Sequence, residues 1–414
     1  MWQGPVDTLT YSGLRVVELA DDPRGEILGK LLADQGADVI KVEPVGGSRG
    51  RRVGPWVRGH EGDPDFSLNF WTYNTSKRSV VVDATTAEGR TERDDLIATA
   101  DVLITSDTPD GLTAAGIDLQ ELTDRHQHLI AVSVSPYGLT GPWANRRSSD
   151  LVALASGGIL MSCGYDDHSI PPIRPGGNQS MQIAASFGHT GLLLALLERQ
   201  MSGLGQIVDV SMHEAIAVSG ELANPYWFYP RVLLQRQTCR HAQPSPTSPA
   251  LFECADGVQV YFALILSDTK TWGILVDWLD SLGMALDLAD EEYLQLSHRQ
   301  ENFPYIQTLL ESFFLMQDSG AVYTEAQRRG LPLGPISAPE DLVEDPHLAA
   351  RGYFVDVPMD GESVKFPGSP FSFSYGTGAP TSPPKLGADT EAVLAQTKSS
   401  AAEATAGVGI GVMS

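Results

Sequence analysis

Residues 174–182 read RPGGNQSMQ, between the proline-rich IPPIRPGG and the apolar run IAASFGHTGLLLALLER. Two glycines, then Asn178, Gln179 and Ser180, then a helical pattern, mark a helix N-terminus. The N–H groups of such a terminus bind anions and hold reacting groups. Yet the stretch itself holds only amides and a hydroxyl; the nearest acids are Asp166 and Asp167 upstream and Glu198 downstream. Side chains suited to phosphates occur in three clusters: Arg49, Arg51, Arg52 and Arg58; Lys77 and Arg78; Arg146 and Arg147. Each is equally compatible with a solvated surface. Hydrolase chemistry has no support, because neither GxSxG nor a Ser-His-Asp arrangement is present. Cys163, Cys239 and Cys254 are scattered, without CxxC or a histidine cluster, which points to a reducing, cytoplasmic setting with no disulfide framework and no metal site.

The elements that must position this loop are legible as an alternation. LRVVELA (14–20), DVIKVE (38–43), SVVVD (79–83), DVLITS (101–106), LIAVSVSPYG (129–138) and QIVDVS (206–211) read as strands. The first is followed by a helix with Ile27, Leu28, Leu31 and Leu32 on one face, and residues 181–199 form a long helix. Strands separated by helices predict a parallel sheet covered on both faces, with ligands beyond the C-terminal strand ends. The first strand-to-helix turn, ADDPRG, is not a dinucleotide fingerprint. Residues 216–250, aromatic and then Pro/Ser-rich, read as a linker. Residues 251–334 read as a smaller α+β unit with its return linker, opening with a strand pair about the turn CADG. Short strands follow at GYFVDV and KFPGSPFSF.

The net charge of −24 over 414 residues makes nucleic acid and anionic membrane poor partners. A phosphate-bearing ligand would need a locally basic pocket. No run of 18 apolar residues and no signal-peptide pattern is seen.

The pieces LLADQGADVIKVE, FWTYNTSKRSVVVD, ADVLITS, SVSPYGLTGPW, DLVALASGGIL, GLLLALLERQMSGLGQIVDVSMHEA, GLPLGPISAPEDLVEDPHLAARGYF and KLGADTEAVL occur in this order over most of the chain. Together they resemble the family III CoA-transferases, the family that includes formyl-CoA and carnitine CoA-transferases and the alpha-methylacyl-CoA racemases. The resemblance implies a Rossmann-like large domain built from both chain ends (1–215 and 335–414), a small domain, and ring-like chains that interlock into a dimer. It also implies transfer of CoA from an acyl-CoA to a carboxylic acid, with no tightly bound cofactor and the CoA thioester as substrate. In that chemistry an aspartate attacks the thioester to give a mixed anhydride and then an enzyme-bound thioester.

Carried onto this chain, the family's acidic residue opening DLVALASGGIL is Asp150, and the catalytic aspartate falls on Gln179, with Asn178 beside it. The histidine of the racemases falls on Ser149, and His189 reads as an ordinary helix histidine. The CoA-binding positions depart too: Ser106 and Asp107 replace Asn-Phe, Ala114 and Pro44 stand where arginines are expected, and Asp21 and Asp22 lie in the first turn. Arg24, Lys77, Arg78 and Arg147 remain compatible with CoA. Loss of both nucleophile and phosphate pocket implies the degenerate subunit of a heteromer with an aspartate-bearing paralogue, as in the benzylsuccinate CoA-transferases. The alternatives are a competent homodimer using Asp150 or direct attack by the acceptor acid, with Asn178 and Gln179 as oxyanion donors, and a non-enzymatic acyl-CoA-binding protein. Tyr226, Trp227, Phe228 and Tyr229 read as packing residues or as an aromatic acyl pocket.

Overall fold

The computed structural model describes residues 9–220, 223–263, 268–374 and 376–408. The chain divides into two compact units. One takes the residues up to Ile159, Pro175–Gly220 and those from Pro346 onward; the other takes Leu160–Arg174 and Glu221–Asp345.

The first unit runs β1 (Arg15–Glu18), α1 (Pro23–Ala33), β2 (Asp38–Glu43), α2 (Leu68–Tyr73), β3 (Arg78–Val81), α3 (Ala87–Ala98), β4 (Val102–Thr105), α4 (Pro109–Ala114), α5 (Leu119–Arg125) and β5 (Ile130–Ser135). After these come α6 (Asp150–Ser156), α8 (Gln179–Ser202), β6 (Ile207–Ser211) and α9 (Met212–Val218), with α7 (Ile159–Ser162) falling where the chain passes to the second unit. The strands form one parallel sheet in the order β3-β2-β1-β4-β5-β6. The order reverses between β1 and β4, which defines a crevice at their C-terminal ends.

Helices cover both faces, which is why β4 and β5 are buried at every residue. On one face Leu96, Ile97, Leu112, Leu119 and Leu122 close over Val17, Ile40, Leu103 and Ala131. On the other, α8 lies against α1, β5 and β6. Gly188 permits this closeness: a Cβ there would come within 3.2 Å of Val134 Cγ2 and 3.4 Å of Leu28 Cδ2. By length and composition α8 is apolar enough to cross a membrane. Its Ala184, Ala185, Leu192 and Ala195 are instead buried in the unit, as in a core helix. Gly203 ends it at φ 76°, the left-handed conformation that glycine adopts without penalty.

The second unit contains α10 (Ala223–Phe228), β7 (Gln235–Gln237), β8 (Arg240–Gln243), β9 (Leu251–Glu253), β10 (Gln259–Phe262), α11 (Thr269–Asp280), α12 (Leu296–Glu301), α13 (Phe303–Phe314), α14 (Ser319–Arg329), β11 (Leu333–Pro335) and α15 (Pro339–Glu344). Its antiparallel sheet, β11-β10-β9, carries a core rich in aromatics, with Phe252, Phe262, Trp272, Trp278, Phe313 and Phe314 all buried. Phe313 meets Trp278 edge-on at 5.0 Å between ring centroids, a favoured aromatic geometry.

The chain then returns to the first unit through α16 (Pro346–Ala350), the hairpin β12 (Phe354–Met359) and β13 (Glu362–Pro367), and α17 (Thr390–Val408). Asp360 and Gly361 form the hairpin turn, both with positive φ, as an Asp-Gly two-residue loop requires. Thr390 Oγ1 accepts from Val81 N, and Val393 is buried against the sheet, so the C-terminal segment completes the β3 side of the large unit.

Two boundaries differ from the sequence expectation. Residues 216–250 are not a bare linker: they hold α10 and the β7–β8 ribbon. Residues 160–174, expected within 1–215, group with the second unit, as do 335–345. The reason is long-range polar contact. Asp166 pairs with Arg240, and Arg236 Nη2 donates to Ile170 O at 2.6 Å.

Candidate active site

The loop before α8 sits as its sequence suggests, at a helix N-terminus, but its capping is unusual. Asn178 occupies the N-cap position in the left-handed conformation, φ 53°, and makes no side-chain cap bond. Its Nδ2 donates to Tyr73 Oη of α2 at 3.1 Å. Gln179, the first helical residue, is exposed, and its Nε2 donates to Gly176 O at 3.0 Å. The terminus is therefore built by amides, and no carboxylate lies within residues 174–182.

Asp150 reaches this terminus from α6. The residue is buried, and its Oδ1 accepts from both Ser180 N, at 2.9 Å, and Ser180 Oγ, at 2.8 Å. It thus satisfies an N–H that the α8 N-cap side chain leaves unserved. Ser149 caps α6, its hydroxyl accepting from Val152 N at 3.4 Å. His189 lies partway along α8, with Nε2 2.7 Å from Tyr11 Oη; burial lowers its pKa and favours the neutral ring.

At the C-terminal ends of β1 and β4 the crevice is crowded with charge. Asp21 N donates to Ser106 Oγ at 3.4 Å, tying the two loops together. Arg24 turns onto Asp22, with Nε 2.9 Å from Asp22 Oδ1, and its Nη2 also donates to Ser106 O at 3.2 Å. Arg49 pairs with Asp21 Oδ2 at 2.8 Å and lies 3.6 Å from Asp22 Oδ2. Asp107 adds a third carboxyl, whose pKa is raised by desolvation and then by Asp22. Both arginines are thus engaged by aspartates where a pyrophosphate would need them.

The other basic candidates are not brought to this crevice. The Lys77 ammonium is buried, donating to Glu18 Oε2, Glu26 O and Asn74 Oδ1, each at 2.8 Å. It belongs to an interior cluster in which Lys41 pairs with Glu18 at 3.0 Å and Glu26 at 2.9 Å. Gly29 leaves room for that cluster, since a Cβ there would fall 1.8 Å from Glu18 Oε2. Arg78 opens β3 and pairs with Asp38, the first residue of β2, at 2.7 Å, which puts it at the amino ends of the strands. Arg147 is exposed in the loop before α6. Lys77 and Arg78 are therefore corrected as phosphate ligands: one is consumed by buried carboxylates, the other sits at the opposite end of the sheet. Sequence reading missed Tyr73 as a neighbour of the α8 terminus, and it offered Arg49 for phosphate without its partners Asp21 and Asp22, because these groups arrive from segments distant in the chain. Among the described residues no group of His, Cys, Asp and Glu could hold a metal ion.

Residues 11–390 match the family model for CoA-transferase family III. The chain is 31% identical over 399 residues to succinyl-CoA:(R)-benzylsuccinate CoA-transferase subunit BbsE of Thauera aromatica, covering 93% of this chain and 94% of that protein. It is 28% identical to the succinyl-CoA–L-malate CoA-transferase beta subunit of Chloroflexus aurantiacus, over 94% of this chain and 95% of that one. Among solved structures it resembles a CaiB/BaiF family protein from Brucella suis, with TM-score 0.82 and 27% identity, covering 94% of this chain and 100% of the other. The fold and these matches define a CoA-transferase-type α/β protein. The chain belongs to CoA-transferase family III, whose members act on acyl-CoA substrates without a tightly bound cofactor.

Proposed function

We infer that this chain is the subunit of a heteromeric family III CoA-transferase that lacks the nucleophile, paired with a paralogue that supplies an aspartate. The complex moves CoA from an acyl-CoA, with succinyl-CoA as donor, to a carboxylic acid. The observation that carries this reading is the α8 N-terminus: Asn178 and Gln179 stand where an attacking carboxylate is expected, and an amide cannot form the anhydride. The acidic β1/β4 crevice supports it independently, because phosphates of a CoA placed there would face Asp21, Asp22 and Asp107.

The reading also accounts for exposed apolar surface on α8. Phe187, Leu194, Leu197 and Met201 recur at helical spacing and are all exposed, an arrangement suited to burial against a paralogue in an interlocked pair. A competent homodimer would draw on Asp150. That carboxylate is buried and already accepts two hydrogen bonds from Ser180, which engage its Oδ1 in the α8 terminus.

Native mass spectrometry of the lightly tagged protein from its own organism tests this. The expected result is a complex of this 44.5 kDa chain with a second chain of different mass. A clean multiple of this chain alone, active in CoA transfer, would overturn the reading.

A further inference from the structure

The second unit contains a cavity of about 950 Å³, lined by none of the residues of the α8 terminus or the β1/β4 crevice. Its walls are the β8 strand with the following loop, the β10 strand, and α12 with the start of α13. In a chain with 52 acidic and 28 basic residues, none of the residues lining this cavity is an Asp or Glu, whereas Arg240 and His241 both line it. One wall is apolar, with Leu296, Tyr261 and Phe303; Gln300 adds an amide beside them. The Arg240 side chain is only 7% exposed and its Nη2 is held by Asp166. Its Nε–H is buried with no hydrogen-bond partner. A buried charged donor without an acceptor is costly and points to an absent ligand.

We propose that this cavity binds an organic carboxylate with an apolar, aryl-sized body, its carboxylate on Arg240 and its body against Phe303 and Leu296. The volume falls at the upper end of the range for small-molecule sites, and apolar walls with one charged anchor are their usual composition. The acid-free lining is the selective element: it spares an anion the repulsion that the rest of this surface imposes. The proposal goes beyond the transferase reading and rests on it only for the choice of probe.

The test is isothermal titration of the full-length chain, in the assembly in which it purifies, with benzylsuccinate and with its neutral diamide. Benzylsuccinate is expected to bind saturably and the diamide not. Arg240→Gln should weaken binding about 10- to 100-fold, the range for one hydrogen bond to a charged group. Gln300→Glu, at an exposed position on α12, should weaken it severalfold by placing a like charge in the cavity while leaving the Asp166–Arg240 pair unaltered. Arg328→Gln, on the exposed face of α14, should change nothing. Equal binding of acid and diamide, or indifference to both cavity variants, would overturn the proposal. Displacement by adenosine 3′,5′-bisphosphate would also overturn it, assigning the cavity to the nucleotide of CoA. These outcomes are read as binding to this chain's own residues, so they are independent of whether native mass spectrometry finds one kind of chain or two.

Discussion

Ser180 gives both its backbone N–H and its hydroxyl to the same oxygen of Asp150, at 2.9 and 2.8 Å. The pair joins α6 to the first turn of α8, thirty positions apart in sequence. It performs the service that the Asn178 side chain, turned toward Tyr73, does not.

Asp150→Ala is therefore expected to destabilise the protein by about 1–3 kcal/mol, the cost of stripping an acceptor from buried donors. Asp150→Asn, which keeps a carbonyl oxygen, should cost less. Thermal or urea denaturation measures both. Transfer activity of the purified complex should survive Asp150→Asn within about tenfold. A fall of roughly 10⁴ or more, the usual result of losing a nucleophile, would identify Asp150 as the attacking group.

Gln179→Asp restores a carboxylate to the loop but leaves the β1/β4 crevice acidic. The variant chain alone should show no acyl-CoA:acid transfer in a coupled assay. Appearance of turnover would mean that this chain binds CoA productively, and would overturn the loss of its CoA pocket.

The same crevice has a charge prediction. Asp22→Asn keeps an N-cap for α1 while freeing Arg24 and Arg49 from one carboxylate; Asp107→Asn removes another. The double variant should bind adenosine 3′,5′-bisphosphate several-fold more tightly than the parent. Asp107, with its pKa raised by desolvation and Asp22, takes up its proton at a higher pH than an ordinary aspartate. Anion binding by the unmodified chain should therefore strengthen as pH falls into the acid range, and this dependence should flatten in Asp107→Asn. Fluorescence polarisation with a labelled nucleotide reads both effects.

Lys77→Met leaves Glu18 and Glu26 to share Lys41, and breaking a buried pair in this way costs about 3–5 kcal/mol. Burial brings Lys77 down to about 8, whereas the unfolded chain holds its proton to about 10.4. Between those values the unfolded state binds more protons than the folded state, so this group's contribution to stability rises with pH. The stability gap between the parent and Lys77→Met should widen by about 1–2 kcal/mol from pH 7.5 to 9.5. Urea midpoints at the two pH values check it; a gap that narrows would contradict the placement of Lys77 in this cluster.

Much of the large unit was determined by the sequence alone. All six strands of its parallel sheet and the long helix α8 appear where their apolar runs put them, since residues buried on both sheet faces leave an unbroken signal in the chain. DVIKVE, for example, is β2 residue for residue. The family resemblance was likewise legible, and so was the absence of a carboxylate from residues 174–182, because each is a matter of residue identity in order. Tertiary structure decided what the remaining charges do. Lys77 and Arg78 are neighbours in sequence, yet one ammonium is buried on Glu18 and the other side chain pairs with Asp38 at the amino end of the sheet. Arg24 looked available for phosphate, and the fold sets Asp22 against it. Residues 160–174 join the second unit through contacts with Arg236 and Arg240 some seventy positions away. A cation's partner is set by through-space distance at low dielectric, and chain order carries no record of that distance until the sheet and its loops are folded.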